Sequence, residues 1–153
     1  MRRNVLGVVV ALLVVAGSLP AGQPKKGDKD SPPKDNLQGK WKLVKVERNG
    51  RGEAITNKSD EFFELTVSGD KMTLQLKDAK EEATYKADLT KKPKTIDITP
   101  TTGEDKGKAI LGIYDLDGNK WKLCVAEADV KERPTEFRSR GDKVVVYEME
   151  RVK

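Results

Sequence analysis

Along residues 37–153, apolar and polar positions alternate in short runs separated by Gly, Asn, Asp and Pro. Alternation with a period of two marks strands with one buried face, and the separators are turn formers. The first run, residues 40–48, closes at Asn49-Gly50. Residues 61–67 and 71–77 read as a hairpin about Gly69-Asp70, with Phe63, Leu65 and Val67 on one face and Met72, Leu74 and Leu76 on the matching one. Residues 83–89 carry Tyr85, Ala87 and Leu89 in phase, and Lys91-Lys92-Pro93 breaks that run. Ile96 and Ile98 share one side of residues 95–99, which Pro100 ends. Residues 108–116 and 120–126 form a second hairpin about Asp117-Gly118-Asn119, a strong turn signal. Gly141-Asp142 leads into a last strand, residues 143–151.

These make eight strands, with residues 135–139 as a ninth candidate at an edge. Residues between Gly52 and Asp60 have room for a helical turn, and no amphipathic helix of useful length occurs. Short strands joined by tight turns predict an all-β fold, a small antiparallel up-and-down barrel, with a sandwich as the alternative. Residues 108–116 are apolar on both faces at their centre. One face is therefore expected to pack outside the barrel, on the N-terminal tether, on the loop before Glu61, or on a second copy.

The N-terminal pattern is different. Arg2 and Arg3 precede an apolar run over residues 5–16, interrupted only by Gly7. The run is shorter than the roughly 20 residues that span a bilayer, and it fits the core of a secretory signal peptide. Cleavage is expected after Ala21, with Ala16, Gly17 and an uncleaved anchor as alternatives. No cysteine follows the run to carry a lipid, so no lipid anchor is expected, and export is to the periplasm or beyond. Residues 22–36 hold three prolines and no apolar residue able to join a core, which predicts a disordered polar linker before the 37–153 domain. Cys124 is the only cysteine, so no internal disulfide can form. The formal charge of +5 falls to +3 once Arg2 and Arg3 are removed, and the remaining lysines are interleaved with acids. That is a solvated surface and not a phosphate-binding stripe, so nucleic acid is not an expected partner.

Gly39-Lys40-Trp41 opens the first strand and Arg151 ends the last. Lipocalins and their relatives carry a Gly-x-Trp on the first barrel strand, with an Arg or Lys from the end of the last strand packed across the indole. In an eight-stranded up-and-down barrel the two positions share a rim, and in a nine-stranded one they lie at opposite rims. The chain also resembles a bacterial family of uncharacterised exported proteins, abundant in planctomycetes and regarded as lipocalin-like. The resemblance rests on Leu37-Gln38-Gly39-Lys40-Trp41, on residues 91–97 and 112–118, on Leu123-Cys124 and on residues 132–137. It implies structural roles for Gly39, Trp41 and Arg151 and a barrel fold, and it implies no activity.

Candidate chemistry is sparse. There is no histidine, which removes the commonest general base and zinc ligand. No serine sits in a Gly-x-Ser-x-Gly elbow and there is no Gly-rich phosphate loop. Cys124, between Leu123 and Val125, reads as a small buried apolar residue. Asp115, Asp117 and Asn119 are explained by a hairpin turn and lack the glutamate that a calcium loop requires in register. No catalytic residue, metal or cofactor is expected. Tyr85, Tyr114 and Arg133 are the candidates for touching a ligand. Tyr85 and Tyr114 would hang hydroxyls into a cavity, and Arg133, at a barrel mouth, would pair with a carboxylate. The competing role for Arg133 is a local ion pair. The leading expectation is a non-enzymatic module holding a small apolar or amphipathic ligand. The alternatives are a plugged barrel serving as a structural or protein-interaction domain of the cell envelope, and a hydrolase using carboxylates. The bulk of Phe63, Leu65, Met72, Leu74, Ile96 and Ile98 favours the plugged form.

Overall fold

The computed structural model describes residues 36–56, 58–59 and 63–153. The expected signal segment and all of the expected linker except Asn36 lie outside the described residues. Nine strands run in order: β1 (Gly39–Arg48), β2 (Arg51–Ala54), β3 (Glu64–Ser68), β4 (Lys71–Gln75), β5 (Lys80–Asp88), β6 (Lys94–Pro100), β7 (Ile110–Asp117), β8 (Lys120–Ala126) and β9 (Val144–Arg151). All neighbours pair antiparallel, and β1 pairs with β9. Strands β1 and β3–β9 thus close into an eight-stranded barrel of lipocalin-like type, and β2 is an added strand beside the upper half of β1.

Two expectations about minor elements are corrected. The ninth strand is not residues 135–139, which follow an irregular path, but Arg51–Ala54. Asn49 and Gly50 both take positive φ, 51° and 72°. That pair of conformations builds the two-residue turn whose twist suits a tight hairpin, so the chain doubles back along β1 at once. The same return replaces the helical turn expected after Gly52; no helix occurs among the described residues.

Barrel closure depends on one irregularity. Trp41 and Leu43 face inward, and strict alternation would then send Val46 outward. A bulge between Leu43 and Lys45 resets the phase. Val46 consequently lies opposite Tyr147 with its side chain inside, while Lys45 lies opposite Glu148 outside and pairs with it at 3.4 Å.

One end of the barrel is sealed. Trp41 and Trp121 are buried there, meeting edge to face with centroids 5.3 Å apart, beside Tyr114, Ile96 and Met149. The Trp41 indole N–H donates to the Leu37 carbonyl at 2.8 Å. Trp41 and Arg151 are direct register partners, as an eight-stranded barrel requires. The Arg151 guanidinium carbon stands 4.1 Å from the indole centroid. Gly39 makes this possible: its φ is +113°, and a Cβ there would come within 2.8 Å of Arg151 Nη1. The face of the fifth strand stops short of expectation, because Leu89 lies past the end of β5 and is 44% exposed.

The two-faced character of β7 has a different cause from those expected. Ile113 joins Cys124, Val144 and Val146 in a small second core on the outside of the barrel, with Phe137 packed against it. The cover is the 127–143 connector between β8 and β9. Three groups of bonds pin it. Arg133 donates to the Ile96 and Gly112 carbonyls at 3.0 and 2.7 Å and to Asp97 at 2.5 Å. The Ser139 N–H and hydroxyl both donate to Glu47 Oε1, at 3.1 and 3.0 Å, and the Gly50 N–H donates to the Ser139 hydroxyl. Asn49 Nδ2 donates to Asp142 at 2.8 Å.

Trp41→Ala removes a fully buried indole, its hydrogen bond and the surface under Arg151. Stability is expected to fall by about 3–5 kcal/mol in a urea titration. A loss below about 1 kcal/mol would contradict the sealing role.

Candidate functional site

The sealed end fills only half of the interior. Above Trp41 and Met149 the inward positions of β3–β9 leave a cavity of about 210 Å³ that opens at the other end of the barrel. Its walls are apolar: Phe63, Leu65, Met72, Leu74, Ile98 and Leu123 surround it, with Ala83, Val125 and Tyr147 completing the lining. Gly112 on β7, outside the lining, lets neighbouring strands pack closely: a Cβ there would press to 2.8 Å from Val125 Cγ1 and 3.2 Å from Ile96 Cγ2. Phe63 and Tyr147 stack edge to face at 5.7 Å along one wall, which holds both rings to that side. Polar groups enter only at the rim, where Glu81 and Glu82 begin β5.

Of the residues singled out in the sequence, Gly39, Trp41 and Arg151 come together at the sealed end. The candidates for ligand contact do not converge. Tyr85 packs at the sealed end, where its hydroxyl receives the Gln38 amide N–H at 3.1 Å and donates to the Gly69 carbonyl at 3.2 Å. Burial raises its pKa. Tyr114 is buried in the main core beneath the cavity. Arg133 lies on the outer face of β6 and β7 and not at the mouth; it has the structural role, an ion pair with Asp97 and a clamp on two carbonyls. None of the three lines the cavity. The lining residues missed as site candidates, Leu123, Val125 and Tyr147, were legible only as the apolar phase of strands. Which of those positions border a void depends on the volumes meeting across the axis.

Of the titratable groups with shifted pKa values, Cys124 and Glu47 belong to the outer core and its cover. The Cys124 thiol is fully buried, and burial pushes its pKa up. A protonated, enclosed thiol is a poor nucleophile. The Glu47 carboxyl is held below its ordinary value by the Ser139 backbone N–H, joined by the Ser139 hydroxyl and by Lys45 and Lys122. Among the described residues, no group of three or more His, Cys, Asp or Glu is placed to hold a metal ion. No protein-family model, curated protein or solved structure matches this chain.

A thiol reagent such as DTNB at pH 8 is expected to label Cys124 at least tenfold more slowly in the folded protein than in urea, since only opening of the connector uncovers it. The Glu47 latch has a definite sign. A folded-state pKa below the unfolded one contributes stability above the unfolded value, and that contribution is lost as pH falls through the folded value. Ser139→Ala keeps the backbone N–H and removes the hydroxyl, so it should cost about 1 kcal/mol at pH 7 and lessen the loss of stability below about pH 4.5, read from urea titrations across pH.

Proposed function

We propose that this protein is a non-enzymatic, exported binding module that holds a small apolar or amphipathic molecule in the open half of its barrel. The observation that carries the reading is the cavity itself: about 210 Å³, walled by apolar side chains, sealed below and open above. An apolar cavity of about 150 Å³ suffices for a benzene-sized guest, whereas drug-sized ligands occupy about 300–1,000 Å³. The guest is accordingly a single ring or a short chain, or a longer molecule whose remainder emerges from the mouth. Nothing among the perturbed groups favours covalent chemistry. Cys124 and Glu47 serve the outer core, and among the described residues no Ser, Thr, Cys or Lys lines the cavity. The N-terminal apolar segment supports action outside the cytoplasm, and kinship with the exported lipocalin-like bacterial family belongs to the same reading.

A second reading, a filled barrel acting through a protein partner, is favoured by one observation. The lower half of the interior is occupied by Trp41, Trp121, Tyr114, Ile96 and Met149. Native mass spectrometry of the exported protein, purified gently from its own host, separates the two. A retained small molecule of a few hundred daltons or less is expected. A bare protein mass, with no thermal shift across a panel of short hydrophobic compounds, would move the assignment to the filled barrel.

A further inference from the structure

Glu81 on β5 has the strand phase that points into the barrel at its mouth, the end where Arg48 on β1 shares the phase of Val46. Its register partner is Leu74, which lines the cavity, and the next pair along, Met72 and Ala83, lines it too. Glu82, one residue on, has the opposite strand phase; it too borders the cavity at the rim, and it is paired with Lys80 at 2.9 Å. Glu81 makes no ion pair among the described residues. Its carboxylate lies against the loop between β6 and β7: a Cβ on Gly103, whose φ is +81°, would come within 3.2 Å of Glu81 Oε1. The adjoining groove shares Ile110, Val125 and Tyr147 with the cavity, and its charged lining is Asp105, Glu127, Asp129 and Asp142 against Arg48. Lys108 offsets Asp105 and Asp129 at 3.0 and 3.5 Å.

We propose that the barrel selects a cationic amphiphile, a small ammonium compound whose apolar part fills the cavity and whose head group meets Glu81 at the mouth. This rests on the binding reading above. An apolar pocket by itself does not distinguish head groups; an unpaired carboxylate at its polar border does, attracting an ammonium and repelling a carboxylate. Glu81 is exposed, so the effect is a modest one, attraction and repulsion together giving about tenfold at low ionic strength. The direction is opposite to that of a fatty-acid carrier, whose mouth needs a cation.

The probes are n-octylammonium, n-octanol and n-octanoate, which share one tail and differ in head charge. Binding to the full exported chain is followed by calorimetry at low salt, with chemical shifts of Leu123 and Val125 methyl groups reporting occupancy of the cavity. The ammonium is expected to bind about tenfold more tightly than the carboxylate, with the alcohol between them. Glu81→Gln should bring the three within about twofold, and 0.5 M salt should do the same in the native chain. Equal binding of the three by the native protein, a preference for octanoate, or a preference for ammonium that survives Glu81→Gln would overturn the head-group assignment while leaving the cavity as a binding site. Failure of all three to shift the Leu123 and Val125 methyls would overturn the cavity reading as well.

Discussion

The structure depends on closing β1 against β9, and that closure is locked where Arg151 lies across Trp41. A sheet that failed to close would leave two edges with unpaired backbone groups and a tryptophan face open to water. Here the indole is covered from above by a guanidinium 4.1 Å away and from the side by Trp121, and its N–H is satisfied by the Leu37 carbonyl. Arg151 also donates to the Gln38 and Asn36 carbonyls, so the same side chain ties the last strand to the segment that leads into the first. A cation over an indole contributes about 0.5–2 kcal/mol. The larger gain is geometric, since Arg151 fixes the register of the only pairing between the two ends of the folded domain. Trp121 bears a cost for its place there: its buried indole N–H has no hydrogen-bond partner among the described residues.

Closure and cavity are linked through side-chain volume. At the sealed end two indoles, Tyr114 and Met149 meet across the axis and fill it. Toward the mouth the inward residues are thinner, with Ala83 and Val125 facing Leu, Ile and Met. The taper divides one continuous apolar interior into a stabilising half and an empty half. The empty half is therefore a property of packing. Its lining resembles that of any strand core, and only its charged border at Glu81 has a chemical direction.

The outside of the barrel carries a second, smaller burial that accounts for the long 127–143 connector. The connector spends its polar groups on attachment, Arg133 to Asp97 and two carbonyls, and Ser139 to Glu47. Phe137 and Cys124 are the apolar contact beneath it. This explains why a sheet strand such as β7 is apolar on both faces without a second copy of the chain. It also removes Arg133, the most chemically suggestive side chain of its segment, from any contact with the cavity.

What the sequence determined by itself is the set of strands, the hairpins and the closure. Alternation marked eight of the nine strands, because each keeps one face in the core. Asn49-Gly50, Gly69 and Gly118 marked turns because few other residues tolerate positive φ. Gly39-Lys40-Trp41 and Arg151 were legible as neighbours because an even number of antiparallel strands returns the chain to its starting rim. Tertiary structure alone decided the rest. The strand at residues 51–54 is exposed along its whole length, so no apolar alternation announced it. The bulge after Leu43 followed from the need to turn Val46 inward, which only the pairing with β9 imposes. Which face of β6 and β7 received Arg133, how far the interior was filled, and that Glu81 takes the inward phase at the rim were set by register and by volumes converging from strands far apart in the chain. Local pattern specifies which side of a strand is buried, and only the assembled barrel specifies what that side meets.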